Sequence, residues 1–173
     1  MGERRIILWR HGRTSWNAER RFQGQSDIEL DDEGRAQAER AAELLAYLEP
    51  DRIIASDLAR AWATAQALSN RTGVPVTADA RLRETFAGEW EGLSRAELLE
   101  RHGDEVARWA SDSSARPGGG ETRIEVADRV VAAITAGLDQ LAESGTLVVA
   151  THGGAARAGI GALLELPPEQ WAC

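Results

Sequence analysis

The chain of 173 residues is sized for one domain with its own core, and 43% apolar with 28% charged residues is an ordinary globular balance rather than that of a disordered or membrane protein. No apolar run approaches the roughly 20 residues that span a bilayer, and the opening MGERRIILWRHG has no signal-peptide hydrophobic region, so a cytoplasmic protein without membrane partners is expected. The net charge of −8 argues against nucleic acid as a partner, and all 20 basic residues are arginine, which excludes a Walker-type phosphate loop, a Schiff-base lysine and a lysine general base.

In chain order, residues 5–10 (RIILWR) read as an apolar strand that ends at His11-Gly12, followed by a polar loop over 12–30. Asp31 caps a helix over 32–48 with acidic residues in its first turn. Residues 52–56 form a short strand, 57–72 a helix ended by Gly73, and 74–77 a third strand. Ser94 and Glu97 make a capping-box pattern before a short helix ending at His102-Gly103, which leaves His102 as a surface or capping residue. After a loop at 116–120, Thr122 and Glu125 cap a long helix to about residue 143. Residues 146–151 (TLVVAT) are the second strongly apolar strand, and the small run from Gly153 to Ala156 opens a last helix. Strands alternating with helices imply parallel βαβ units and a three-layer α/β/α sandwich with a mostly parallel central sheet. No internal repeat or linker divides residues 1–173. The glycine triplet 118–120 follows no strand, so it is no dinucleotide fingerprint.

Two of the three histidines, His11 and His152, sit at the ends of apolar strands. In an open α/β sheet such ends converge on one crevice, where ligand sites collect. Arg10 precedes His11, and a helix start with small residues follows His152, presenting free N–H groups and positive dipole. Arginine, histidine and a helix start together point to phosphate. Without lysine the cationic contacts fall to arginine, whose planar fork suits bidentate phosphate binding. Cys173, the single cysteine, excludes an internal disulfide and reads as an incidental terminal thiol.

The string Arg10-His11-Gly12-Arg13-Thr14-Ser15-Trp16-Asn17 resembles the signature of the histidine phosphatase superfamily, whose fold is phosphoglycerate mutase-like. Four further matches follow in the family's order: QGQSDIEL (23–30), SDLARAWATA (56–65), LRE (82–84) and THGG (151–154). The resemblance implies that His11 is a nucleophile forming a phosphohistidine, with a backbone carbonyl fixing its tautomer. It implies that Arg10, Arg60 and His152 surround the phosphoryl oxygens without a metal or cofactor. Glu84 would protonate the leaving group and then activate water, and would have a raised pKa while protonated beside the phosphate. Asn17, Gln23, Gly24 and Gly153 would contribute neutral contacts to the phosphate or leaving group.

For single residues the bland readings stay beside these: a solvated helix arginine for Arg60, and for Glu84 a surface carboxylate paired with Arg81 or Arg83. Trp16, Phe22, Phe86 and Trp90 line the pocket mouth or belong to the core, with the two readings even for Phe22 and Phe86. The segment 84–120 reads as a lid selecting a small substrate. Hydrolysis of a small-molecule phosphate ester, a sugar or glycerate phosphate, is the expected activity, with a homodimer as the expected assembly. Mutase-type phosphoryl transfer and a non-catalytic phosphate binder are the alternatives. A zinc hydrolase is disfavoured by the lack of a compact additional ligand set. Arg13, where many relatives have Glu or Gln, either favours a more anionic substrate or faces solvent. The sequence stops at PPEQWAC, where members of the family usually continue into a further strand, so an exposed sheet edge or a lost piece of site wall is expected.

Overall fold

The computed structural model describes residues 3–172; the reading of Cys173 lies outside them. Four strands, β1 (Arg4–Arg10), β2 (Arg52–Ala55), β3 (Val76–Ala78) and β4 (Gly145–Thr151), form one sheet in the order β1-β4-β2-β3, with every pairing parallel. Six α-helices accompany them among the described residues: α1 (Ser15–Ala18), α2 (Asp32–Ala46), α3 (Ala59–Thr72), α4 (Arg95–Ser111), α5 (Arg123–Leu138) and α6 (Gly153–Leu163). The pleat of β4 shows why the fold has three layers. Leu147 and Val149 pack with α5 and α6 on one face, while Val148 and Ala150 pack with α2 and α3 on the other. All four side chains are fully buried, each apolar Leu or Val contributing about 1.5–3 kcal/mol relative to exposure. On the second face alanines do most of the packing, Ala38 and Ala42 from α2 and Ala65 and Ala67 from α3.

A third apolar cluster of Ala87, Trp90 and Leu98, with Phe22, Leu93, Val106 and Trp109 against it, forms apart from these two cores. It corrects two readings of the middle segment. α4 does not end at His102-Gly103; it bends there, with His102 at φ −134° and ψ 27°, and continues to Ser111. Leu98, Val106 and Trp109 lie on both sides of that bend and bury against one cluster, so packing carries the helix through residues of weak local preference. His102 is half-buried, its ring 6.2 Å from Trp90 and Nδ1 3.4 Å from Glu105.

The remaining departures are local. β3 begins at Val76 rather than at residue 74 because Gly73 caps α3 in the left-handed region (φ 74°) and Pro75 has no N–H to give to the ladder. α5 stops at Leu138, and Leu141 turns back into the core. The polar loop after β1 contains α1, started by a capping box between Thr14 and Asn17.

Candidate functional site

Because the strands are parallel, their carboxyl ends share one edge, and the register Arg10↔Thr151 makes the residues after β1 and β4 neighbours. The His11 N–H donates to the Thr151 carbonyl at 3.0 Å, and the His11 and His152 ring centroids are 5.1 Å apart. His11 Nδ1 lies 2.7 Å from the Gly12 carbonyl, an acceptor that fixes the ring proton on Nδ1 and leaves Nε2 with its lone pair. Burial, assisted by the charges of Arg60 and Arg10, lowers the His11 pKa from 6.5 to about 4 against the opposing Gly12 hydrogen bond. His152, fully buried, is pushed well below 6.5 by burial first and then by Arg60; its Nε2 is 2.8 Å from Ser56 Oγ and its Nδ1 has no partner among the described residues. Both imidazoles are therefore neutral at pH 7.

Arg60 is no solvated helix arginine: it is 0% exposed in the first turn of α3. Its two terminal nitrogens donate to the Ser26 and Gly24 carbonyls at 2.8 Å each, and its Nε has no partner among the described residues. Thr64, one turn later, accepts from the Gly12 N–H and donates to the Arg60 carbonyl, tying α3 to the loop after His11. Burial lowers the Arg60 pKa, yet guanidinium starts so high that the charge is kept at neutral pH.

Glu84 is not paired with Arg81 or Arg83, which bind Asp79 and Asp57 instead. Its carboxylate accepts from the N–H groups of Thr85 (2.9 Å), Gly154 and Ala155 (3.0 Å each), so the start of α6 holds a protein carboxylate. The Glu84 carbonyl accepts from Gln25 and Arg129, while Arg129 also donates to the Arg81 and Arg83 carbonyls and pairs with Glu121 at 2.8 Å. Sequence reasoning missed this clamp; Glu121 follows the glycine triplet and Arg129 lies two turns further along α5.

A cavity of about 230 Å³ gathers Arg10, His11, Asn17, Gln23, Gly24, Arg60, Glu84 and Gly153 along its wall. Asn17 Oδ1 accepts from the Thr14 N–H at 3.1 Å and Gln23 Oε1 from its hydroxyl at 3.0 Å. Those bonds leave both amide NH2 groups for a ligand. His152 stands behind His11 rather than on the wall, in contact with it through the ring pair. The aromatic expectation needs correction. Of the four, Phe22 alone reaches this wall; Trp90 is core, Phe86 is exposed away from it, and Trp16 packs beside Gly92. Trp109, Thr85, Arg21 and Arg157 also line the cavity, and sequence reasoning missed all four; the spacing of Arg157 four residues after Gly153, on one face of α6, is the signal that could have found it. Arg13 is ion-paired with Asp31 at 2.8 Å and does not line the cavity. Among the described residues, no group of three or more His, Cys, Asp or Glu side chains could hold a metal ion. Nor is any described helix long and apolar enough to cross a membrane.

A family model described as "Histidine phosphatase superfamily (branch 1)" matches residues 6–173. A glucosyl-3-phosphoglycerate phosphatase of Mycolicibacterium vanbaalenii is 42% identical over 177 aligned positions, covering 99% of this chain and 79% of the relative. Phosphoglycerate mutase-like protein 4 of Arabidopsis thaliana is 38% identical over 156 positions, covering 88% and 67% respectively. A solved structure of a mycobacterial glucosyl-3-phosphoglycerate phosphatase complexed with VO3 superposes with a TM-score of 0.92 at 40% identity, covering 98% of this chain and 84% of the other.

Proposed function

The chain belongs to the histidine phosphatase superfamily, and on that premise we propose that it hydrolyses a small phosphate monoester through a phosphohistidine at His11. The observation that carries the reading is the state of His11: Nδ1 is anchored on the Gly12 carbonyl and the ring is neutral at pH 7, so Nε2 offers its lone pair to phosphorus. In the first step the Nε2–P bond forms as the bond from phosphorus to the ester oxygen breaks, and Glu84 gives that oxygen a proton. In the second, Glu84 takes a proton from water, the water oxygen bonds phosphorus and the N–P bond breaks. Arg10 and Arg60 hold the phosphoryl oxygens through both steps, the amides of Asn17 and Gln23 add neutral donors, and His152, behind His11, backs the nucleophile's ring rather than reaching the phosphate. Gly24 lends its carbonyl to hold Arg60, and Gly153 lies beside the Arg10 side chain at the start of α6.

The substrate in this reading is a phosphoglycerate, free or carrying a sugar, which the mycobacterial relatives' name supports. The test is to mix purified chain with radiolabelled 3-phosphoglycerate in the presence of chelator and quench in alkali, where phosphohistidine survives. Labelled protein with release of inorganic phosphate, both lost in His11→Ala, is the expected result. Folded chain that neither becomes labelled nor releases phosphate from any ester overturns the proposal, and label appearing in 2-phosphoglycerate instead of as free phosphate would make the chain a mutase.

A further inference from the structure

Next to the phosphate cavity is a second one of about 420 Å³, between α4, α5 and α6, whose wall includes Thr85, Trp109, Arg123, Gly154, Arg157 and Trp171. Thr85, Trp109, Gly154 and Arg157 line both cavities, so the two adjoin along these side chains. Two arginines face this space without a carboxylate. Neither Arg123 nor Arg157 forms an ion pair among the described residues, although twelve such pairs involve other side chains. Arg123 is only 8% exposed; one terminal nitrogen donates to the Trp109 carbonyl, its guanidinium lies 5.2 Å from the centre of the Trp109 ring, and the other terminal nitrogen has no partner among the described residues. Burial, and next the charge of Arg157, lowers its pKa, with Asp112 the carboxylate that opposes them. A buried guanidinium with an idle N–H beside a second cation is costly unless an anion completes the set.

We propose that this second cavity receives a carboxylate of the substrate, held by Arg157 and backed by Arg123, while the phosphate sits over His11. The inference deepens the phosphatase reading by assigning a doubly anionic substrate, and it rests on that reading for the phosphate end. The chemistry follows from the guanidinium fork, which matches a planar carboxylate through paired N–H donors. Trp109 and Trp171 give the same space flat apolar walls for the uncharged part of the alcohol.

The experiment compares 3-phosphoglycerate with glycerol 3-phosphate, which lacks the carboxylate, in the intact chain and in Arg157→Gln and Arg157→Lys. The ratio of their kcat/KM values should fall about tenfold to a hundredfold in Arg157→Gln and partly recover in Arg157→Lys. The loss should appear chiefly as a raised KM for the carboxylate-bearing ester. Calorimetry of 3-phosphoglycerate binding to His11→Ala, with and without Arg157→Gln, reads the same contact without turnover and should show a Kd increase of similar size. Turnover of both esters with an unchanged ratio and unchanged Kd overturns the carboxylate site and leaves the phosphatase reading standing. Arg157-dependent binding in a folded chain that turns over no ester would overturn that reading and keep the site.

Discussion

Replacing Gly154 by alanine should separate activity from stability. A Cβ at this position would lie 2.5 Å from Glu84 Oε1 and 3.2 Å from its Cδ, with helix backbone fixed on one side and a carboxylate on a flexible stem on the other. The carboxylate gives way, by roughly 0.7 Å, to reach an ordinary carbon–oxygen approach. That movement weakens the 3.0 Å bonds from Gly154 and Ala155, a loss of about 1 kcal/mol each. Alanine in the first turn of α6 returns up to about 1 kcal/mol of helix preference. Net stability therefore changes by no more than about 2 kcal/mol. The proton donor, however, is displaced by most of an ångström, which costs on the order of a hundredfold in a positioned step. Rapid-quench kinetics should show glycerol 3-phosphate turnover falling by about that factor. With p-nitrophenyl phosphate, whose leaving group needs little protonation, a stoichiometric burst of nitrophenol should precede slow turnover as phosphohistidine waits for its base. Gly154→Ala protein with a native melting profile and kcat within twofold on the alkyl ester would refute the assignment of Glu84 to proton transfer.

Three other outcomes are expected. Since His11 titrates near pH 6.5 unfolded and about 4 folded, its effect on stability is nil above pH 6.5 and becomes a loss of about 3 kcal/mol as pH falls from 6.5 to 4; urea midpoints across that range should depend less on pH in His11→Asn than in the parent. Ser56→Ala removes the hydrogen-bond partner of His152 Nε2 and should destabilise the chain by about 1–3 kcal/mol in denaturant melts, with Thr at that position recovering part of it. Arg60→Lys retains a cation but loses the planar fork whose two separate terminal nitrogens reach the Ser26 and Gly24 carbonyls and fix its orientation, so kcat on p-nitrophenyl phosphate should drop about a hundredfold or more; a fall of under threefold would remove Arg60 from the phosphate contacts.

The parts of the site readable from sequence were those written in short stretches of chain. His11 and His152 end apolar strands, and parallel strands have no choice but to deliver their ends to one edge; Arg60 comes one turn into the helix after a strand. Asp31, Ser94 and Thr122 announced helix starts because capping needs only side chains within three residues. The bend at His102 was not legible because local preference and distant packing disagree there, and only the contacts of Val106 and Trp109 with Phe22 and Trp90 decide it. Arg129 and Glu121 support the Glu84 turn from another helix, and Arg123 and Arg157 meet across two helices. Such pairings depend on helix azimuth, which the sequence specifies only through the whole fold.

The strand that leads into His152 is the last of the four in chain order among the described residues, yet it lies inside the sheet, between β1 and β2. On emergence from a ribosome, β1 and β2 would be waiting with a vacant lane between them, and no phosphate pocket would exist until β4 filled it. The nucleophile is made well before its partner histidine, which arrives only as that lane closes. Pairings of such long sequence separation are slow to form. Retention on a phosphate-bearing matrix would therefore serve as a folding signal: it selects chains in which β4 has inserted and passes over those in which its lane is still vacant.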